Sequence, residues 1–340
     1  MSKNRPTVAV VGAGMAGLAA TKRLSSIASL DVLVFEKSRG IGGRLATRRI
    51  RDDGPMEGVE FDHGAVAMHG DDPLFTGAMG ALIERGSVSP AAKTDGQNTR
   101  GFIGQPRMNA GLGPWTEGLN IAFQTRVDRL KKDNGRWQLT FTNETAREPF
   151  SCDAVILAVP APQAMALIQD TDPRIASAIA SAQMSPIWTL MLALDRDFAA
   201  PAQESSTRLG TESPFKTIIG EHAKEGRQQK PARYVAHATE AWSEANLELS
   251  KEKAGEALLE AFLSQTDANR DSIIFHTAHR WRYALTKTPI GVPTISSQDG
   301  SLVVSGDWLL GKDASAAFES GNAAAAQLIE QLSYRFGGTT

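Results

Sequence analysis

Apolar residues along the chain fall into short runs set between polar and glycine-rich stretches. Residues 8–11 form a continuous, mostly β-branched run, the pattern of a strand buried on both faces. Leu18, Leu24 and Ile27 follow at spacings compatible with one helical face. A second apolar run, 32–35, ends in Glu36. Residues 154–159 repeat the buried-strand pattern and are stopped by Pro160 and Pro162. Residues 301–305 repeat it near the end, ahead of a long helical pattern over 315–334. Between these runs the periodicity predicts helices near 74–85, over 163–182 and over 250–265, the last with Ser250 as N-cap. It predicts strands within 58–65 and at 121–127, 187–198, 234–239 and 273–276. Asn134-Gly135, between 127–130 and 137–141, marks a tight hairpin. Residues 86–101 and 200–230 read as polar connections. The whole predicts an α/β chain with a discontinuous domain built from both termini and a middle stretch.

A chain of 340 residues is too long for one small core and suggests two domains. The formal net charge of −2 gives no global case for nucleic acid or an acidic membrane surface as partner. The single cysteine, Cys152, rules out an internal disulfide and reads as a packed residue at the start of its strand. The first residues run straight into the first strand with no secretory leader, and no apolar stretch approaches about 18 residues. Together these predict a cytoplasmic protein.

The chemistry is carried first by Gly12, Gly14 and Gly17, at the G-x-G-x-x-G spacing between a strand and a helix. Gly12 permits the turn, Gly14 lets backbone approach a pyrophosphate, and Gly17 lets the helix pack on the strand. The helix N-terminus supplies unpaired N–H groups and a positive dipole end to that anion. Glu36 stands where an acid meets a ribose 2′-hydroxyl, which favours FAD or NAD over a 2′-phosphorylated nucleotide.

The segment Arg39-Gly40-Ile41-Gly42-Gly43-Arg44 separates the two, because a nicotinamide dehydrogenase has no need of it. It resembles the glycine-rich segment of flavin amine oxidases, which implies that Arg44 meets a cofactor phosphate. Arg48 and Arg49 read as a solvated basic loop. Near the C-terminus, Gly306-Asp307-Trp308 follows a strand and precedes a helix, like the second phosphate-side element of FAD folds. Asp307 then bonds a ribityl hydroxyl, and the helix start near 315–318 faces the flavin ring.

The chain is similar to bacterial renalases, a branch of the flavin amine oxidase superfamily. The resemblance rests on Gly12 to Gly17 with Glu36, on 38–49, 158–163, 184–188, 237–243 and 278–284, and on Gly306-Asp307-Trp308 and Ser320-Gly321. It implies a p-hydroxybenzoate-hydroxylase-like fold, with an FAD-binding Rossmann-type domain over 1–65, 102–162 and 279–340. An α+β substrate domain then covers 66–101 and 163–278. It implies non-covalent FAD, and oxidation of 2- or 6-dihydro isomers of NAD(P)H to NAD(P)+ with oxygen reduced to hydrogen peroxide. Two departures touch the substrate: Val66-Ala67-Met68-His69 replaces an aromatic and polar run, and Ala316-Ala317-Phe318-Glu319 replaces a Gly-Ala. They leave open a flavin oxidase or desaturase of another small molecule, such as an amine, and an FAD-binding protein without turnover.

The cofactor residues expected on this basis are Gly12, Gly14, Met15, Ala16, Gly17, Glu36, Lys37, Gly43, Arg44, Gly64, Ala65, Val127, Gly306, Asp307, Ala317 and Phe318. No catalytic residue declares itself. His63 stands near the expected flavin face or packs as an ordinary histidine. Trp188 and Trp281 wall a pocket or fill a core, and Arg280 meets a substrate anion or an internal acid. His63 and His69 have no third ligand at metal-binding spacing, so no metal is expected. The expected partner is a small-molecule substrate.

Overall fold

The computed structural model describes residues 5–51, 54–91, 100–142, 148–196 and 212–336. A six-stranded sheet runs in the order Ile295–Ser296, Leu302–Val304, Ala154–Leu157, Thr7–Val11, Asp31–Phe35, Asn120–Ala122. All neighbours pair in parallel except Ile295–Ser296, which closes one edge antiparallel. The central strand alternates between two cores, as a continuous apolar run requires. Val8 and Val10 face the helices Met15–Ser25 and Ala314–Phe336 through Leu18, Leu24 and Leu328. Ala9 and Val11 face Trp137, Ile168 and Ile175 on the opposite side.

A second sheet, antiparallel and four-stranded, has the order Phe215–Gly220, Ala232–Ala238, Gln183–Leu194, Ile273–Thr288. Its outer face packs Leu190, Leu192 and Ala278 against Leu258 and Phe262 of the helix Lys251–Gln265. Its inner face turns Met191, Ala193 and Val235 toward Ile50 and Phe61 of the first layer. A crevice is left between the two sheets above this contact.

Several elements depart from the periodicity, each for a local reason. The expected strand 121–127 is two strands, Asn120–Ala122 and Val127–Asp133, because Gln124 takes a φ of 51° between them. The expected helix 163–182 is Ala161–Ile168 and then Pro173–Ile179; Pro173 breaks it and Asp172 caps the second piece through the N–H groups of Arg174 and Ile175. The segment read as a polar loop from 200 to 230 contains the strand Phe215–Gly220; its first part, to residue 211, lies outside the described residues. The strand read as 187–198 starts at Gln183 and ends at Leu194, and 197–198 lie outside the described residues. The strand read as 273–276 runs on to Thr288, so residue 279 lies inside an unbroken strand. The hairpin forms as its Asn-Gly predicts, with Asn134 at φ 47° and Gly135 at φ 78°.

Candidate functional site

The crevice opens at the carboxyl ends of the parallel strands, where the strand order reverses about Thr7–Val11. That is where open α/β sheets place dinucleotides. Its volume is about 1930 Å³, well above a pocket for one small ligand.

The glycine loop forms one end. Gly12 has φ +104°, its N–H donates to the Phe35 carbonyl at 2.8 Å, and a Cβ there would lie 2.4 Å from the Ala158 carbonyl oxygen. Gly17 does not line the crevice; its Cβ would lie 1.9 Å from the Gly12 carbonyl oxygen, so it serves the packing of helix on turn. Gly14 is different. The nearest atom to a Cβ there is the Gly43 Cα at 4.0 Å, and Gly14 with Met15 and Ala16 borders the crevice. Glu36 is buried, with Oε2 accepting from the Ala13 N–H at 2.8 Å and Oε1 from the Ser38 N–H at 2.7 Å. Two backbone donors fix the carboxylate at the crevice edge, with lone pairs to spare for a ribose. A backbone-lined groove with a fixed acid beside it fits the adenosine diphosphate part of FAD.

Lys37, Gly43, Arg44, Gly64, Ala65, Val127, Gly306, Asp307 and Ala317 also line the crevice. Arg44 and Asp307, from opposite ends of the chain, form a two-pronged ion pair, with one contact at 2.9 Å. Arg44 Nη1 also donates to the Ala284 carbonyl at 3.0 Å, and Thr286 Oγ1 to Asp307 Oδ2 at 2.7 Å. Burial opposes the Arg44 charge, but the Asp307 carboxylate outweighs it and raises the guanidinium pKa. The two residues assigned by sequence to separate cofactor atoms therefore hold each other. Phe318 is not on the wall; it packs against Phe75 and Trp115. At the start of its helix, the Ala316 N–H already donates to Asp313 Oδ1 at 2.8 Å. Cys152 is buried in the core beneath the hairpin sheet, and burial pushes its thiol up to about 12.

The opposite wall comes from the inner face of the four-stranded sheet. Strand register sets Thr217, His237, Thr189 and His279 in one row across it. His63 reaches this row from the first layer, its ring 4.8 Å from that of His279 and 4.9 Å from that of Trp281. Trp281 Nε1 donates to the His63 carbonyl at 3.0 Å. Among the described residues, His63 Nδ1 and Thr189 Oγ1 are buried without a hydrogen-bond partner. Burial first, and then neighbouring cationic groups, hold the imidazoles uncharged: His63 falls to about 3, His237 and His279 to about 4. His237 was missed by sequence reasoning; it lies inside a stretch quoted for resemblance, but only strand register brings it to His279.

Trp188 lies outside the crevice, its ring in the outer core and its Nε1 donating to the Asn246 carbonyl at 3.0 Å. Arg280 borders the crevice but lies over the Trp188 ring, 5.6 Å from its centroid, and bonds the Leu247 carbonyl and Glu248. Arg48, read as solvated, is half-buried on the wall. No cluster of three metal-ligating side chains occurs among the described residues. No helix among them is long and apolar enough to cross a membrane.

The depressed imidazoles have a thermodynamic consequence. Below pH 6.5 the unfolded chain takes up protons that the folded site refuses, so stability is fully present above that value and falls as pH drops toward 4. His237→Asn should remove on the order of 1 kcal/mol of that acid loss. Denaturant unfolding at about pH 4.5 and at neutrality measures it; an unchanged difference between the two pH values contradicts the assignment.

Fold and crevice define a dinucleotide-binding protein with two facing sheets. The family described as flavin containing amine oxidoreductase matches residues 107–329, and the chain belongs to it; an NAD(P)-binding Rossmann-like domain matches residues 10–79. The protein is an FAD-dependent oxidoreductase. Over 66 residues it is 38% identical to polyamine oxidase 7 of Oryza sativa subsp. japonica, a stretch that is 19% of this chain and 13% of that protein. In structure it resembles a putative protoporphyrinogen oxidase from Exiguobacterium sp. 255-15, with TM-score 0.71 and 12% identity over 98% of this chain and 100% of that one. It also resembles a putrescine oxidase bound to putrescine, with TM-score 0.65 and 13% identity over 96% and 99% of the two chains.

Proposed function

We propose that the protein is a renalase-like oxidase of isomeric dihydronicotinamide nucleotides, the 2- and 6-dihydro forms of NAD(P)H. The single observation that carries this reading is the charge of the substrate wall. Among the described residues, the four-stranded sheet and its helix bring Lys216 and Lys251 to the crevice, with Arg280 and Arg282, which pair with Glu248, and no Asp or Glu of these elements lines it. A cationic amine meets no carboxylate on that wall, whereas a nucleotide phosphate meets counter-charge. The motif resemblance covers nearly the whole chain and carries the fold and FAD, with Val66-Ala67-Met68-His69 as its departure near the substrate.

FAD, bound non-covalently, would supply the redox chemistry, as acceptor of the substrate's hydride and donor of its electrons to dioxygen. In the balance, one dihydronicotinamide nucleotide, one proton and one dioxygen give NAD(P)+ and hydrogen peroxide. Gly12, Gly14, Glu36, Arg44 and Asp307 hold the cofactor in this reading. The hydride leaves a ring that already carries it, so no side chain has to remove a proton first. The uncharged imidazoles of His63, His237 and His279 then suit the wall, because they do not oppose the positive charge that grows on the pyridine ring. Trp281 gives this ring a flat apolar neighbour.

A second reading, oxidation of another small molecule such as an amine, draws on the Val66-Ala67 stretch beside the crevice. Anaerobic titration of the purified, FAD-loaded protein separates the two. The 2- or 6-dihydro isomers should bleach the flavin absorbance and putrescine should not; air should restore the colour with one hydrogen peroxide per substrate. Bleaching by putrescine, with none by any dihydronicotinamide, overturns the reading.

A further inference from the structure

We infer that Arg48, Lys216 and Lys251 form a subsite for the pyrophosphate of a dinucleotide substrate, separate from the site that holds FAD. The inference rests on the nucleotide reading above and names the residues that recognise it. The three cations come from three elements: the ribbon strand Arg48–Arg49, the strand Phe215–Gly220, and the first position of the helix Lys251–Gln265. All three border the crevice.

They flank one row of the wall, Lys216 at its Phe215–Gly220 end, Arg48 and Lys251 at its Ile273–Thr288 end. The Thr217–His237–Thr189–His279 row crosses the sheet, with Lys216 one residue from its first member. The charge of Arg48 bears on His63 and His279, that of Lys251 on His279, and that of Lys216 on His237. Among the described residues none of the three side chains has an acid or a hydrogen-bond acceptor. Three other cations of the same crevice are matched, Arg44 by Asp307, Arg107 by Glu60 and Arg282 by Glu248, whereas Arg39, Arg49, Arg51, Arg126 and Lys312 border its other parts.

Unmatched like charges that border one partly enclosed cleft repel one another and raise the local potential. A multivalent anion relieves that repulsion. A diphosphate offers oxygens in several directions, and two lysines with one arginine, on long stems, meet it as separate charges. A single carboxylate has too few acceptors to engage all three. The row of uncharged histidines beside them leaves the potential to these side chains.

The test uses the FAD-loaded protein and the variants Arg48→Ala, Lys216→Ala and Lys251→Ala, singly and combined. Inorganic pyrophosphate and NAD+ are titrated by calorimetry at two ionic strengths. Each substitution should weaken both ligands by about tenfold, the size of one lost charge-assisted contact. The parent's affinity should fall with salt, and the triple variant's should not. In turnover, the ratio of kcat/KM for a dihydronicotinamide dinucleotide to that for the matching dihydronicotinamide riboside should fall in the variants. An unchanged ratio, or a triple variant that binds pyrophosphate as tightly as the parent, overturns the subsite. Failure of the nucleotide reading looks different: the parent binds pyrophosphate through these residues, yet no dihydronicotinamide bleaches its flavin. That result upholds the anion subsite and removes only the substrate.

Discussion

Gly17→Ala should abolish folded protein, while Gly14→Ala should leave the fold and remove FAD. The two glycines are three residues apart in one motif, yet they face different surroundings. A Cβ on Gly17 would lie 1.9 Å from the Gly12 carbonyl oxygen and 3.0 Å from its carbon, both backbone atoms. Neither can move without opening the turn, because Gly12 is itself tied by its N–H to the Phe35 carbonyl. Overpacking of this kind costs at least about 1–3 kcal/mol, and more where backbone cannot shift. At Gly14 the φ of −79° suits any L residue, and the added methyl meets only the Gly43 Cα at 4.0 Å. That methyl occupies the space where backbone would approach a pyrophosphate. Thermal unfolding and the flavin-to-protein absorbance ratio read the two effects separately. Gly14→Ala that purifies fully loaded with FAD contradicts the cofactor assignment at that end of the crevice.

The contrast also marks what was legible in the sequence. The first strand, glycine loop, helix and Glu36 are local: residues close in the chain constrain one another, and the pattern states the structure. The hairpin is local in the same way, since Asn134 and Gly135 both adopt positive φ. The substrate wall is not local. The strand Ile273–Thr288 lies at a sheet edge and carries His276, Lys287 and arginines among its apolar residues, so only its first four residues stood out by composition. Phe215–Gly220, the other edge, was absorbed into a polar stretch. The grouping of His63, His237 and His279 depends on register across three strands and on a contact between two layers. No spacing within the chain encodes it. Arg44 shows a third case: its place on the crevice was legible, but its pairing with a residue at the far end of the chain was not.

Removing Asp62 should cost about 3–5 kcal/mol, the usual penalty for breaking a buried ion network on one side. The Asp62 carboxylate is almost fully buried. Its Oδ2 meets Arg227 Nη2 at 2.7 Å and Lys224 Nζ at 3.6 Å. Its Oδ1 accepts from Thr47 Oγ1 at 2.6 Å and from the Met108 N–H at 3.0 Å. Its own N–H donates to Glu221 Oε2 at 3.1 Å. Burial alone would raise the carboxyl pKa, but Lys224 and Arg227, with the two hydrogen bonds, lower it below the usual aspartate range. Asp62→Ala leaves two buried cations facing Glu221 alone and orphans the Met108 N–H. Asp62→Asn keeps the acceptor but not the charge, so it should fall between. Glu221→Gln should cost least, because burial already favours the neutral form of that acid. Denaturant unfolding of the three variants gives the order, and an Asp62→Ala loss under about 1 kcal/mol contradicts it. The network joins elements that periodicity keeps apart. Thr47 and Asp62 come from the segments after the glycine loop, and Glu221, Lys224 and Arg227 from the connection between two strands of the substrate sheet. His63 follows Asp62 directly, so the same ion pairs that hold the layers together fix the backbone from which its imidazole reaches His279. A variant that weakens the network should therefore also change the crevice wall.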